Sequence, residues 1–207
     1  MSPGGGLPAR VRLASVLAIV FAGLCGTLAA WEGFSLARVS ELRAAQPPIR
    51  LAPDPVLAEQ LRVSQIAALE QMREPRMVVL FALALACSLT FVASTRLLRP
   101  AGLPREHVRR ILVWALMVAA VLRTIDGAQA TAVARRASEA LRQGLRLPPG
   151  IEGAAAEQMR NVLAPAAFMA AAILQTILVA GTLIILSQYF RSPRVREWVQ
   201  QADAAVR

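Results

Sequence analysis

Four long apolar stretches dominate this chain: about Leu13 to Leu36, Met77 to Leu98, Ile111 to Ala134 and Val162 to Phe190. A helix needs about 20 mainly apolar residues to cross a hydrocarbon core of roughly 30 Å. Within that core only helices and closed barrels satisfy every backbone polar group. All four stretches are long enough to cross. The 207 residues are 56% hydrophobic and 17% charged, and the mean hydropathy is +0.50, too apolar for a soluble domain of this size. Four spans and their connections use up the length and leave no room for a soluble catalytic domain. The sequence therefore predicts an all-α polytopic membrane protein, with four transmembrane helices in an up-down-up-down bundle.

Charge sets the expected direction of the spans. The connection Arg96-Leu97-Leu98-Arg99-Pro100 through Arg105, Glu106, His107, Arg109 and Arg110 is strongly basic, which places it in the cytoplasm by the positive-inside rule. Arg10 and Arg12 before the first span, and Arg191, Arg194 and Arg196 after the fourth, put both termini on the same side. The other two connections mix Arg with Asp and Glu and are expected to face outward, into the periplasm. The net charge of +10 does not point to nucleic acid, because the basic residues are scattered and lack interleaved aromatics. Every basic residue is Arg and none is Lys, which reads as the codon bias of a GC-rich bacterial genome and excludes a Schiff-base or lysine-nucleophile mechanism. A rival reading takes the first span as a signal peptide cleaved after Ala29 or Ala30, given its basic start and small-residue end.

An internal duplication favours keeping that span. After the first span the chain reads Ala37-Arg38, Ser40-Glu41, Leu42-Arg43, Pro47-Pro48 and Glu70-Gln71-Met72-Arg73. After the third it reads Ala134-Arg135, Ser138-Glu139, Leu141-Arg142, Pro148-Pro149 and Glu157-Gln158-Met159-Arg160. Each copy then enters a span and leaves it through a segment containing Arg and Pro. The expected organisation is one four-span membrane domain over 1–207, made of parallel helical-hairpin repeats at 10–100 and 104–193, with a short cytoplasmic amphipathic tail at 194–207. Helices longer than the bilayer are also expected. Asp54 and Pro55 suit a helix start, Pro75 a new start or a kink, and the third span continues through Arg135-Arg136 to Gly144. A helix of about 40 residues is roughly 60 Å long, so these helices would stand out into the periplasm.

Chemistry-bearing residues are few. Arg123 and Asp126 lie about 18 Å and 22 Å along a span that starts at Ile111, and Glu32 lies about 28 Å from Leu13. Ionisable groups at such depth are costly and face the bundle interior or a hydrated path. The spacing of three places Arg123 and Asp126 on one helix face, where they can pair. Glu32, Arg123 and Asp126 are thus the candidate intramembrane polar cluster. Gln175 and Thr176 are expected to bond to a neighbouring helix, and His107 is expected to be a solvated linker residue. Cys25 and Cys87 fall inside apolar runs, where a thiol behaves as a small hydrophobe. No metal site, cofactor or catalytic constellation is expected, and no nucleotide or hydrolase fingerprint is present. The expected function is that of a non-catalytic packing or interaction component of a bacterial inner membrane. Its partners are the lipid bilayer and either a second copy or another envelope membrane protein. The alternative is a small transporter or channel component that uses the polar cluster.

Overall fold

A computed structural model describes residues 7–38, 63, 66, 67, 69–99, 104–144 and 164–204. Among them the fold is entirely α-helical: α1 (Ala9–Ala37), α2 (Arg73–Leu98), α3 (Arg105–Gly144), α4 (Ala164–Arg191) and α5 (Pro193–Ala204). Four helical segments are long and apolar enough to cross a membrane: Ala9–Ala37, Arg73–Leu98, Arg105–Arg136 and Met169–Arg191. They cover the first three apolar stretches of the sequence and most of the fourth. Most of the hydroxyl residues within them donate to the carbonyl four residues back. Ser15 donates to Val11, Thr27 to Gly23, Thr90 to Ala86, Thr95 to Phe91 and Thr182 to Leu178, all at 2.7–2.9 Å. This intrahelical bonding satisfies the polar atom without water.

Helix α3 is 40 residues long, about 60 Å at 1.5 Å per residue and twice the roughly 30 Å hydrocarbon core. Its extension to Gly144 is the one anticipated from the sequence. Pro75 sits in the first turn of α2, where a missing N–H costs no intrahelical bond. It therefore acts as a helix start. The Pro47-Pro48 and Pro148-Pro149 turns, the Asp54 cap, the second Glu-Gln-Met-Arg copy and the start of the fourth apolar stretch lie outside the described residues.

The chain forms two compact units. The first comprises residues up to Trp31, Leu80–Thr124 and Leu178 onward. Its core holds Val11, Ala18, Leu80, Cys87, Leu112, Leu116, Leu183 and Phe190, each essentially inaccessible. Helices α1 and α2 meet where small residues allow it: a Cβ at Gly26 would lie 2.9 Å from the Cβ of Cys87, and one at Gly23 would lie 3.9 Å from the Phe91 ring. As numbering rises along α1 it falls along α2. The same holds for α3 and α4, where Ser187 Oγ donates to the Val113 carbonyl at 3.2 Å and Arg109 Nη1 to the Phe190 carbonyl at 2.7 Å.

Helix α5 buries Val195, Val199 and Ala202, one face at helical spacing. Its end grips the beginning of α3. Asp203 accepts hydrogen bonds from the backbone N–H of Arg105 at 3.1 Å and of Glu106 at 3.2 Å, while Arg105 Nη1 donates to the Ala202 carbonyl at 3.3 Å. The orphan amides of a helix N-terminus are thus capped by a side chain from another element.

Large apolar side chains point outward along all four long helices, among them Leu28, Leu85, Trp114 and Ile185, the last three 70–74% exposed. Apolar exposure on this scale is incompatible with an aqueous surrounding, whereas in hydrocarbon it costs nothing.

Candidate functional site

The second unit comprises Glu32–Val79 and Ile125–Ile177, and its described residues include a buried ion-pair network. Arg76, just after Pro75 in α2, reaches two carboxylates at once. Its Nη2 donates to Glu32 Oε1 of α1, and its Nε lies 3.5 Å from Asp126 Oδ1 of α3. The Arg76 side chain is 7% exposed, that of Asp126 1% and that of Glu32 42%. The network therefore runs from a half-exposed acid, through a buried cation, to a fully buried acid.

Proximity alone would give the Arg76–Asp126 pair about 5 kcal/mol at an effective dielectric near 20. Desolvating the two ions costs several kcal/mol each. The two contributions largely cancel, so the pair specifies which helix faces meet more than it stabilises the fold. Asp126 Oδ1, Arg76 Nε and, one turn further along α3, Gln129 Oε1 are buried and take part in no hydrogen bond among the described residues.

The neighbouring contacts brace this network. Arg73 Nη2 donates to the Ala37 carbonyl at 2.8 Å, satisfying an orphan carbonyl at the end of α1. Arg136 Nη1 donates to Gln71 Oε1. On the other side of α3, Gly127 lets α4 in: a Cβ there would lie 2.2 Å from Thr176 Oγ1 and 2.8 Å from its Cβ. The Thr176 hydroxyl itself donates to Ala172 of its own helix at 2.8 Å. It is thus satisfied within α4 and not across helices, which differs from the expectation drawn from its depth. Gln175 is exposed.

Glu32 and Asp126 are brought together through Arg76. Arg123, half-buried one turn before Asp126 in α3, belongs to the first unit. Arg76 has no distinguishing mark in the sequence beyond its place at the edge of an apolar run, and only the rotation of α2 about its axis turns it toward two acids. His107 is exposed in the first turn of α3. Among the described residues no three His, Cys, Asp or Glu side chains converge in a way that could hold a metal ion.

No protein-family model, no curated protein and no solved structure matches this chain.

Proposed function

We propose that this chain is a non-catalytic, multi-pass component of a bacterial inner membrane, whose role is to pack against a second copy of itself or another envelope membrane protein. The carrying observation is the bareness of α4. Only 17% of its most apolar window is buried, against 33–39% for the other three spans. Its outward face carries Ala170, Ala171, Leu174, Ile177 and Leu178, all exposed, and a Cβ at Gly181 would meet nothing. In lipid, helices associate through such small-residue surfaces because close backbone approach is what packing can gain there.

The opposing numbering of contacts in α1–α2 and α3–α4 supports an up-down-up-down bundle, and the Arg-rich ends support cytoplasmic termini. The repeated landmarks support two parallel hairpins, and the length of α3 supports helices that continue into the periplasm.

The test is site-specific photo-crosslinking in cells from position 177 on α4, with position 85 on α2, which is at least as exposed, as the control. We expect a protein adduct from position 177 and none from position 85. Lipid adducts alone at both positions would rule out the packing role.

A second reading, a small transporter or channel component, rests on the polar network. Two acids share one guanidinium, and an intramembrane ionisable group of this kind commonly marks an ion or proton path. It requires a hydrated route to Asp126.

A further inference from the structure

Within the first unit, a groove of about 280 Å³ runs between α3 and α4, lined by Arg109, Arg110, Trp114, Met117, Gln188 and Arg191 together with Val113 and Ser187. We propose that this groove is a binding site for an anionic phospholipid, with the phosphate at the arginine rim and the first acyl methylenes on the apolar floor.

The charges are arranged for such a ligand. Arg109 is buried and fully committed: Nε and Nη2 donate to the two Glu106 oxygens at 2.8 Å, and Nη1 to the Phe190 carbonyl. It is a fixed wall of the site. Arg110 spends only Nε, on Glu106 at 3.0 Å, and its side chain is 61% exposed. Exposed Arg191 and Gln188 line the same groove. Three guanidiniums against the single Glu106 leave two positive charges at the mouth. Paired donors in a planar fork match phosphate oxygens.

Depth matches as well. Met117 lies seven residues beyond Arg110, about 10 Å along the helix, so the lining passes from charged to apolar over the length of a headgroup and a few methylenes. Trp114, 71% exposed, stands one turn below Arg110, where an indole suits the headgroup boundary. The volume lies just below the roughly 300–1,000 Å³ of sites that enclose a whole ligand, which fits a lipid held by its head and upper chains. A soluble anion would leave the apolar floor bare. A second copy seated by two-fold symmetry would set the same arginines against each other, a like-charge contact that disfavours association.

The inference rests on the reading that the chain crosses a bilayer, and its test separates the two. Membranes carrying the full-length protein are first extracted with alkaline carbonate. Protein released by carbonate would overturn both readings. The protein, purified in an uncharged detergent, is then titrated by native mass spectrometry with phosphatidylglycerol, with phosphatidylcholine of the same chains, and with inorganic phosphate. Phosphatidylglycerol is expected to bind preferentially. Arg110→Gln with Arg191→Gln should lower that affinity roughly thirtyfold, from about 1 kcal/mol for each basic residue at an anionic surface, while phosphatidylcholine binding is unchanged. Arg194→Gln with Arg196→Gln, an equal charge change on exposed positions of α5, should leave the preference intact. Equal binding of the two lipids, equal loss in both double variants, or saturation by phosphate alone would overturn the proposal.

Discussion

Arg76 holds a position that neither of its acids could hold alone. Asp126 is 1% exposed, and a carboxylate at that burial depends on nearby positive charge, because removing one member of a buried pair leaves the other in a poor solvent. Arg76→Ala and Asp126→Ala should each destabilise the protein, and the double variant should lose less than the sum. A coupling of about 0.5–2 kcal/mol is expected, the modest size reflecting an unfolded state that also finds partners in lipid. Thermal or denaturant unfolding in bicelles measures the cycle, and additive losses would show that the 3.5 Å approach carries no energy. Asp126→Asn that unfolds like the parent yet abolishes a cellular phenotype would move the transport reading ahead. At this scale the sequence is half legible. Glu32, Arg123 and Asp126 stand out as ionisable groups within apolar spans, with Arg123 and Asp126 spaced to share one helix face. The choice of Arg76 depends on which faces of α1, α2 and α3 are turned together, and no local spacing encodes that.

The elements show where local and non-local causes divide. Helices α1 to α4 follow from hydropathy and length, and α3 runs on to Gly144 because nothing between Asp126 and Gln143 interrupts it with Pro. The N-terminus of α3 is different. Pro104 precedes it and Glu106 lies in its first turn, yet its cap is Asp203, 98 residues away from Arg105. Asp203→Ala should therefore lower stability by about 1 kcal/mol, the usual cost of a lost N-terminal cap, and speed hydrogen exchange at the Arg105 and Glu106 amides specifically. Asp203→Asn should keep most of the protection, since its oxygen still accepts. Unchanged exchange in the alanine variant would show that the α5–α3 contact does not cap the helix. The amphipathic spacing of Val195, Trp198 and Val199 marks α5 as a helix with one apolar face, but not what that face covers.

For the whole molecule, the decisive physical quantity is the distribution of arginine. Short connections rich in Arg stay on the cytoplasmic side during insertion. Reporter fusions after residues 104 and 200 should accordingly read cytoplasmic, and fusions near residues 50 and 148 periplasmic. A periplasmic signal after residue 104 would invert the proposed topology and remove the basis for both hairpins. The proposed packing role belongs to this scale too, because the exposure of α4 depends on what the rest of the chain leaves uncovered.

Periodicity and composition by themselves determined that the chain makes four apolar helices, that one continues far past a bilayer's thickness, and that Glu32, Arg123 and Asp126 are its candidate intramembrane charges. These conclusions depend on hydration and backbone hydrogen bonding, which each segment obeys independently of the others. Tertiary structure alone decided that Arg76 joins the two acids, that Gly127 makes room for Thr176, that Asp203 caps α3, and that Arg110 and Arg191 flank one groove. Those pairings join residues up to 98 positions apart, and they are selected by helix rotation and close packing, which a one-dimensional pattern of apolar and charged residues leaves free.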